Sequence, residues 1–314
     1  MISQTLNIVA PIFFTLVLGY LAARAKRFDS DQVAGINELV LDYALPAALF
    51  AGAVRTSRVA LLEQGPLFLS LLISIVGTYA IAFAAGRLVF RHDLAAAALQ
   101  SISVAFAAGV FIGPAVLRGI YGPSSAVGIA MIAIVLNVLV VPATLVLLNI
   151  SRSCPTDKAS GSLFVTALIN ALKAPMVWAP LVAIAWVLAG APVSPIVTST
   201  LGLIGAASSG AALFVAGAAI AAHKVRLSTE IITNIALKML AQPALYFALV
   251  MIFRVIAPYA NEGFLLTLLP SGPIALQLAV RYKTYVSEAG STLALTTIAL
   301  VVSLPIGIYL IGAR

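Results

Sequence analysis

Apolar runs of membrane-spanning length, parted by gaps of a few charged or turn-forming residues, follow one another along the whole chain. About 20 apolar residues cross one bilayer, and a backbone in lipid must satisfy its own hydrogen bonds, so such runs fold as helices. Only 9% of the 314 residues are charged and the mean hydropathy is +1.12, where an ordinary soluble domain carries about 25% charge. The expected fold class is an all-α integral membrane protein, and large soluble domains are excluded. A single cysteine, Cys154, rules out an internal disulfide and a cysteine-rich metal centre. The net charge of +8 sits in the short gaps, which points to membrane topology and away from nucleic acid.

Reading the runs between charged clusters gives ten spans, at about 5–23, 33–54, 66–90, 96–121, 124–150, 162–189, 196–222, 229–254, 262–281 and 289–311. The first is followed by Arg24, Lys26 and Arg27 with no small-residue cleavage site, so it is kept as helix 1. Alternate gaps divide the basic residues unequally. One side receives Arg24, Lys26, Arg27, Arg87, Arg91, Arg152, Lys158, Lys224, Arg226, Arg281 and Lys283, and the other Arg55, Arg58, Arg118, Arg254 and Arg314. The richer set belongs in the cytoplasm, which puts both termini outside it and the chain in a cell inner (plasma) membrane.

The halves resemble each other. Ala47-Ala48-Leu49-Phe50 returns as Ala211-Ala212-Leu213-Phe214 at an offset of 164, Gly113-Pro114 as Gly272-Pro273 at 159, and Pro142 as Pro305 at 163. Three matches in register indicate two repeats, 1–154 and 155–314. A repeat of five helices enters the membrane the second time with opposite orientation, so the halves are expected to be inverted.

Proline inside a helix removes a hydrogen bond and clashes with the preceding turn, and in lipid the freed carbonyl finds no water. The runs Gly109 to Pro114 and Pro270 to Pro273 place such breaks at corresponding points of helices 4 and 9. Paired interruptions of this kind mark a binding site in transporters built from repeats. Half-helices starting near Ala115 and Ile274 would aim positive dipole ends at one central cavity, a place suited to an anion. Gly113, Pro114, Ala115, Arg118, Ser271, Gly272, Pro273, Ile274 and Gln277 are therefore the candidate substrate-binding residues.

Leu45-Pro46-Ala47-Ala48-Leu49-Phe50, Pro175-Met176-Val177-Trp178-Ala179-Pro180 and Leu269-Pro270-Ser271-Gly272-Pro273 with Ala279 and Tyr282 resemble the auxin efflux carrier family, and most of all its bacterial malonate-transporter-like members. The resemblance covers essentially the whole chain. It implies ten helices in two inverted repeats of five, a scaffold and a mobile transport unit, a crossover of helices 4 and 9 at the substrate, and a homodimer formed through the scaffold. Family members usually carry an asparagine just before the helix 4 break and often another just after the helix 9 break. Here Ala108 and Ile274 stand nearest, so two amides expected beside the substrate are absent.

Charges inside a bilayer are costly and are usually paired or functional. Asp42 reads either as a proton site or as half of an ion pair with Lys173 or Lys238. The two lysines read either as partners of a carboxylate substrate or as structural cations. Arg118 is either a carboxylate clamp or an outer-end anchor. Asn37, Gln100 and Asn137 are expected to bond neighbouring helices, and the small residues from Gly202 to Gly217 to permit close packing within or between chains.

Together these features predict a secondary transporter of a small mono- or dicarboxylate, malonate-like, with no cofactor and with proton or sodium as the open choice of coupling ion. Membrane lipid is the expected surrounding. A phosphate-binding loop, a zinc-protease run and a nucleophile elbow are all missing from the sequence, which disfavours an ATP-driven pump and an intramembrane enzyme. A sensor that keeps the fold without turnover, or a carrier of a less polar, auxin-like acid, remains the alternative.

Overall fold

The computed structural model describes residues 2–55, 58, 64–121, 126–152, 165–166, 169–170, 172–222 and 226–312. Cys154, Lys158, His223, Lys224, Arg314 and the repeat boundary at 154/155 lie outside the described residues. Among those described, helices joined by short turns and irregular links make up the chain, apart from one isolated bridge between two residues.

Helices α1 (Ile2–Arg24), α2 (Ser30–Leu39) and α3 (Leu45–Ala53) come first. Next are α4 (Gly65–Ala84), α5 (Leu94–Ala105), α6 (Gly109–Tyr121), α7 (Ala126–Ile134) and α8 (Val141–Arg152). The second half contributes α9 (Pro175–Ala189), α10 (Pro195–Ala222), α11 (Thr229–Ala236) and α12 (Gln242–Phe253). It closes with α13 (Tyr259–Leu268), α14 (Pro273–Tyr282) and α15 (Val286–Leu310).

Several of these join without a break through one wide turn of π-helix. Val40–Ala44 links α2 to α3, Val135–Val140 links α7 to α8, and Leu237–Ala241 links α11 to α12. Each wide turn runs into a proline, Pro46, Pro142 or Pro243. The proline lacks an N–H and its ring pushes on the carbonyl four residues back. That carbonyl belongs to Asp42, Val138 or Met239, each within the wide turn, so the helix loosens there and continues.

Among the described residues six helices are long and apolar enough to cross a membrane: Asp31–Ala53, Gly65–Val89, Val127–Arg152, Pro195–Ala218, Thr229–Phe253 and Val286–Leu310. They fall on expected spans 2, 3, 5, 7, 8 and 10. Spans 4 and 9 are each divided, into α5 with α6 and α13 with α14.

The core is largely apolar, yet large apolar side chains also face outward and polar ones are buried between helices. Leu203 is 79% exposed and Leu88 78%, while Gln100, Asn234, Lys238 and Gln242 are fully buried. Apolar side chains outside and hydrogen-bonded polar ones between helices are what lipid demands. The small residues of α10 pack within the chain. A Cβ on Gly217 would stand 1.9 Å from the Leu16 carbonyl oxygen, one on Gly19 2.0 Å from that of Phe214, and one on Gly205 2.7 Å from the Ala48 backbone.

Candidate functional site

Span 4 stops at Ala105 and resumes at Gly109; span 9 stops at Leu268 and resumes at Pro273. The two interruptions lie side by side as an antiparallel bridge between Ala107 and Ser271. Gly272 donates its N–H to the Phe106 carbonyl at 2.8 Å, and Ala108 donates to the Pro270 carbonyl at 2.9 Å. Backbone groups freed by one break thus satisfy those freed by the other, as a water-poor interior requires. Gly272 is essential to this approach, because a Cβ there would lie 2.4 Å from the Phe106 ring.

The first interruption falls earlier than the sequence indicated. Gly113, Pro114 and Ala115 are helical positions of α6, which starts at Gly109 rather than near Ala115. Pro114 is the sixth residue of that helix, and the break lies where span 4 exchanges backbone bonds with Pro270 and Gly272, so the partner segment and not the proline positions it. Gly113 is buried; Arg118 belongs to α6, and the side chains of Pro114, Ala115 and Arg118 lie outside the described residues. Because α6 and α14 both start at the bridge, their positive dipole ends converge there.

On the second interruption Ser271, Gly272, Pro273, Ile274 and Gln277 are all buried. The Ser271 hydroxyl is committed to the Ser103 carbonyl at 2.6 Å, and its N–H to Thr296 Oγ1 at 3.2 Å. Gln277 differs. Its backbone carbonyl accepts from Asn37 Nδ2 at 3.1 Å, while its own amide, fully buried, has no hydrogen-bond partner at either atom. Ala108 and Ile274 are sealed into the core, so the amide nearest the bridge on α14 comes from Gln277, one turn further along.

Four residues beyond Gln277, and so on the same face of α14, Arg281 reaches a cavity of about 470 Å³. Asp42, Asn149, Asn170, Lys173 and Tyr282 also line it. The expected partner of Asp42 is corrected here. It pairs with Arg281, at 3.0 and 3.4 Å through the two terminal guanidinium nitrogens, and not with Lys173 or Lys238. The wide turn at Val40–Ala44 and the end of α14 bring the two together across 239 residues. Lys173 is exposed on the cavity wall. Tyr282 donates to Asn149 Oδ1 at 3.2 Å, and the Arg152 guanidinium sits 4.1 Å above its ring.

Lys238 lies elsewhere, fully buried in the wide turn before α12. Its ammonium donates to Gln242 Oε1 and to the Thr267 carbonyl, the latter at 3.2 Å, and Gln242 Nε2 donates to the Ala105 carbonyl at 2.9 Å. Sequence reasoning missed Gln242, although Lys238-Met239-Leu240-Ala241-Gln242 sets two polar residues four apart in an apolar run. It also missed Glu262, a buried carboxylate in the first turn of α13 whose oxygens find no hydrogen-bond partner. Gln100 donates to Asn234 Oδ1 on α11 at 2.9 Å and so bonds a neighbouring helix as expected, whereas Asn137 donates to the Ala133 carbonyl at 2.8 Å, one turn back on its own helix, which corrects the expectation that it joins two helices. Among the described residues no group of three His, Cys, Asp or Glu side chains is placed to hold a metal.

Residues 5–308 match the family described as Membrane transport protein. The "Uncharacterized transporter YfdV" of Escherichia coli K12 is 35% identical over 301 residues, 95% of each chain. The "Putative malonate transporter" of Rhizobium meliloti strain 1021 is 24% identical over 315 residues, 98% of this chain and 96% of its own.

Proposed function

The chain belongs to the membrane transport protein family, and from that premise we propose that it is a secondary transporter of a small organic anion, a malonate-like mono- or dicarboxylate. The observation that carries this reading is Gln277. A buried amide without a partner is costly unless something else uses it, and this one stands one helical turn, about 5.4 Å, inward of Arg281 on the face that opens into a cation-bearing cavity. The positive ends of α6 and α14 complete an electrostatic setting for a carboxylate.

In this reading the anion enters through the cavity, where Arg281 and Lys173 attract it. The planar fork of Arg281 can exchange Asp42 for a substrate carboxylate with the same paired geometry. The carboxylate then moves inward to the Gln277 amide and the helix starts at the bridge. The ten spans form two inverted repeats of five, the bridge is the crossover of helices 4 and 9, and a mobile unit carrying it shifts against a scaffold through which two copies pair. The cavity side is cytoplasmic and both termini lie on the other side, as the distribution of basic residues favours. The match to a relative named a malonate transporter supports the choice of first substrate.

The test is counterflow of labelled malonate into proteoliposomes loaded with unlabelled malonate, with no ion gradient imposed. Wild-type protein accumulates label transiently. Gln277→Leu and Arg281→Gln lose accumulation by tenfold or more, an effect of about 1.4 kcal/mol in transition-state terms. Gln277→Leu removes a buried amide that has no partner to orphan, so it melts no lower than wild type. Retained flux in Gln277→Leu would refute the site, and no accumulation by folded wild-type protein would remove malonate as substrate.

A further inference from the structure

The bridge gathers four helix ends. Two are the starts of α6 and α14; the other two are the C-terminal ends of α5 at Ala105 and α13 at Leu268. A helix C-terminus leaves its last carbonyls without intrahelical donors and carries roughly half a negative charge. The described bonds show where those carbonyls turn. Ser103 O accepts from the Ser271 hydroxyl, Phe106 O from the Gly272 N–H, and Pro270 O from the Ala108 N–H. Two further carbonyls lead to one charge. Thr267 O, at the end of α13, accepts directly from the Lys238 ammonium, and Ala105 O, the last of α5, accepts from Gln242, whose own oxygen is held by the same ammonium.

Lys238 is fully buried, and a cation in that position is expensive unless compensated. The ion pairs among the described residues are His92 with Glu230 and Arg281 with Asp42, so no described carboxylate neutralises it. What faces it is oxygen: one backbone carbonyl and one amide oxygen, backed by two converging negative helix ends. That is the chemistry by which a broken-helix transporter coordinates a soluble cation, through half-helix C-termini and unwound carbonyls.

We propose that the Lys238 ammonium is a tethered counter-cation that occupies the alkali-cation position between the C-terminal ends of the two interrupted helices, so that this chain assembles its substrate site without binding sodium. The proposal rests on the transporter reading for its meaning, since it assigns the cation chemistry of that same crossing. Its physical content is independent of which anion is carried. The wide turn at Leu237–Ala241 gives the lysine its reach, and Gln242, one wide turn away, relays the charge to α5. Lys238 and Gln242 are positioning residues, because neither is required to touch the substrate.

The experiment measures the melting temperature of purified protein in sodium, potassium or choline chloride at equal ionic strength. Wild-type protein melts at the same temperature in all three, and a rise specific to sodium would overturn the proposal. Lys238→Ala melts several degrees lower, and sodium or ethylammonium, added against choline, restores part of the loss in a concentration-dependent way. A folded Lys238→Ala that ignores sodium and ethylammonium alike would also overturn it. Should Lys238→Ala yield no folded protein, Lys238→Arg and Lys238→Met decide: the charged variant stays near wild type and the uncharged one of similar length falls well below, whereas Met equal to or better than Arg defeats the idea. Melting does not depend on malonate being carried, so this test and the counterflow test fail separately.

Discussion

Asp42 illustrates how little a charge in an apolar run reveals about its partner. The sequence places it near the middle of a span and offers two lysines that share the same description, yet its carboxylate meets Arg281 from the far half of the chain. Both groups are partly exposed to the cavity, 26% for Asp42 and 39% for Arg281, and a pair of that kind contributes about 1 kcal/mol or less to stability. Asp42→Asn is therefore expected to leave the melting temperature nearly unchanged. It frees the guanidinium, so malonate counterflow at low substrate concentration should rise; a fall of tenfold with unchanged melting would instead make Asp42 a participant in transport. Gln277 was legible in the sequence as a polar residue near a break. That its amide is unpartnered was not, because partners come from elements distant in the chain.

Close packing between helices carries the next prediction. Gly217 and Gly19 let α10 and α1 approach until a Cβ on either would overlap a carbonyl oxygen, 1.9 and 2.0 Å away. Backbone cannot yield as a flexible side chain does, so Gly217→Ala must part the helices, at a cost of about 1–3 kcal/mol or more. Gly210, on the same helix, has open space around it, and Gly210→Ala should be neutral or slightly stabilising through helix propensity. Thermal melts of the two variants in detergent check this pair, and equal losses would show that the contact does not matter. A polar relay binds other elements at the cavity-side ends expected to face the cytoplasm. His92 meets Glu230 at 2.7 Å; Tyr285 donates its hydroxyl to the same carboxylate at 2.5 Å, and Asn234 carries the chain on to Tyr285, Thr292 and Gln100. Burial and the neighbouring Glu230 carboxylate hold the Tyr285 phenol well above its ordinary pKa, so it stays a donor. Each of these residues reads singly as an unremarkable loop or helix position, and only the packing of α5, α11 and α15 joins them.

For the molecule as a whole, the membrane orientation is the statement most open to a direct check. With Cys154 replaced by serine, Lys26→Cys should react with a membrane-impermeant maleimide only from the cytoplasmic side and Ser194→Cys only from the other; labelling of both from one side would overturn the assigned topology. The sequence by itself determined the membrane class, the helical content and the positions of six spans, because apolar run length and the demand for internal hydrogen bonding leave a chain in lipid almost no other choice. It also located the second interruption, where Pro270 and Pro273 act on their own helix. The tertiary structure alone decided where span 4 breaks, since that point is set by backbone bonds to Pro270 and Gly272. It alone paired Asp42 with Arg281, and it alone brought the Lys238 ammonium to two helix ends. Local propensity is written in neighbouring residues, whereas the compensation of a buried charge or a freed carbonyl depends on groups that only the packed helices bring within reach.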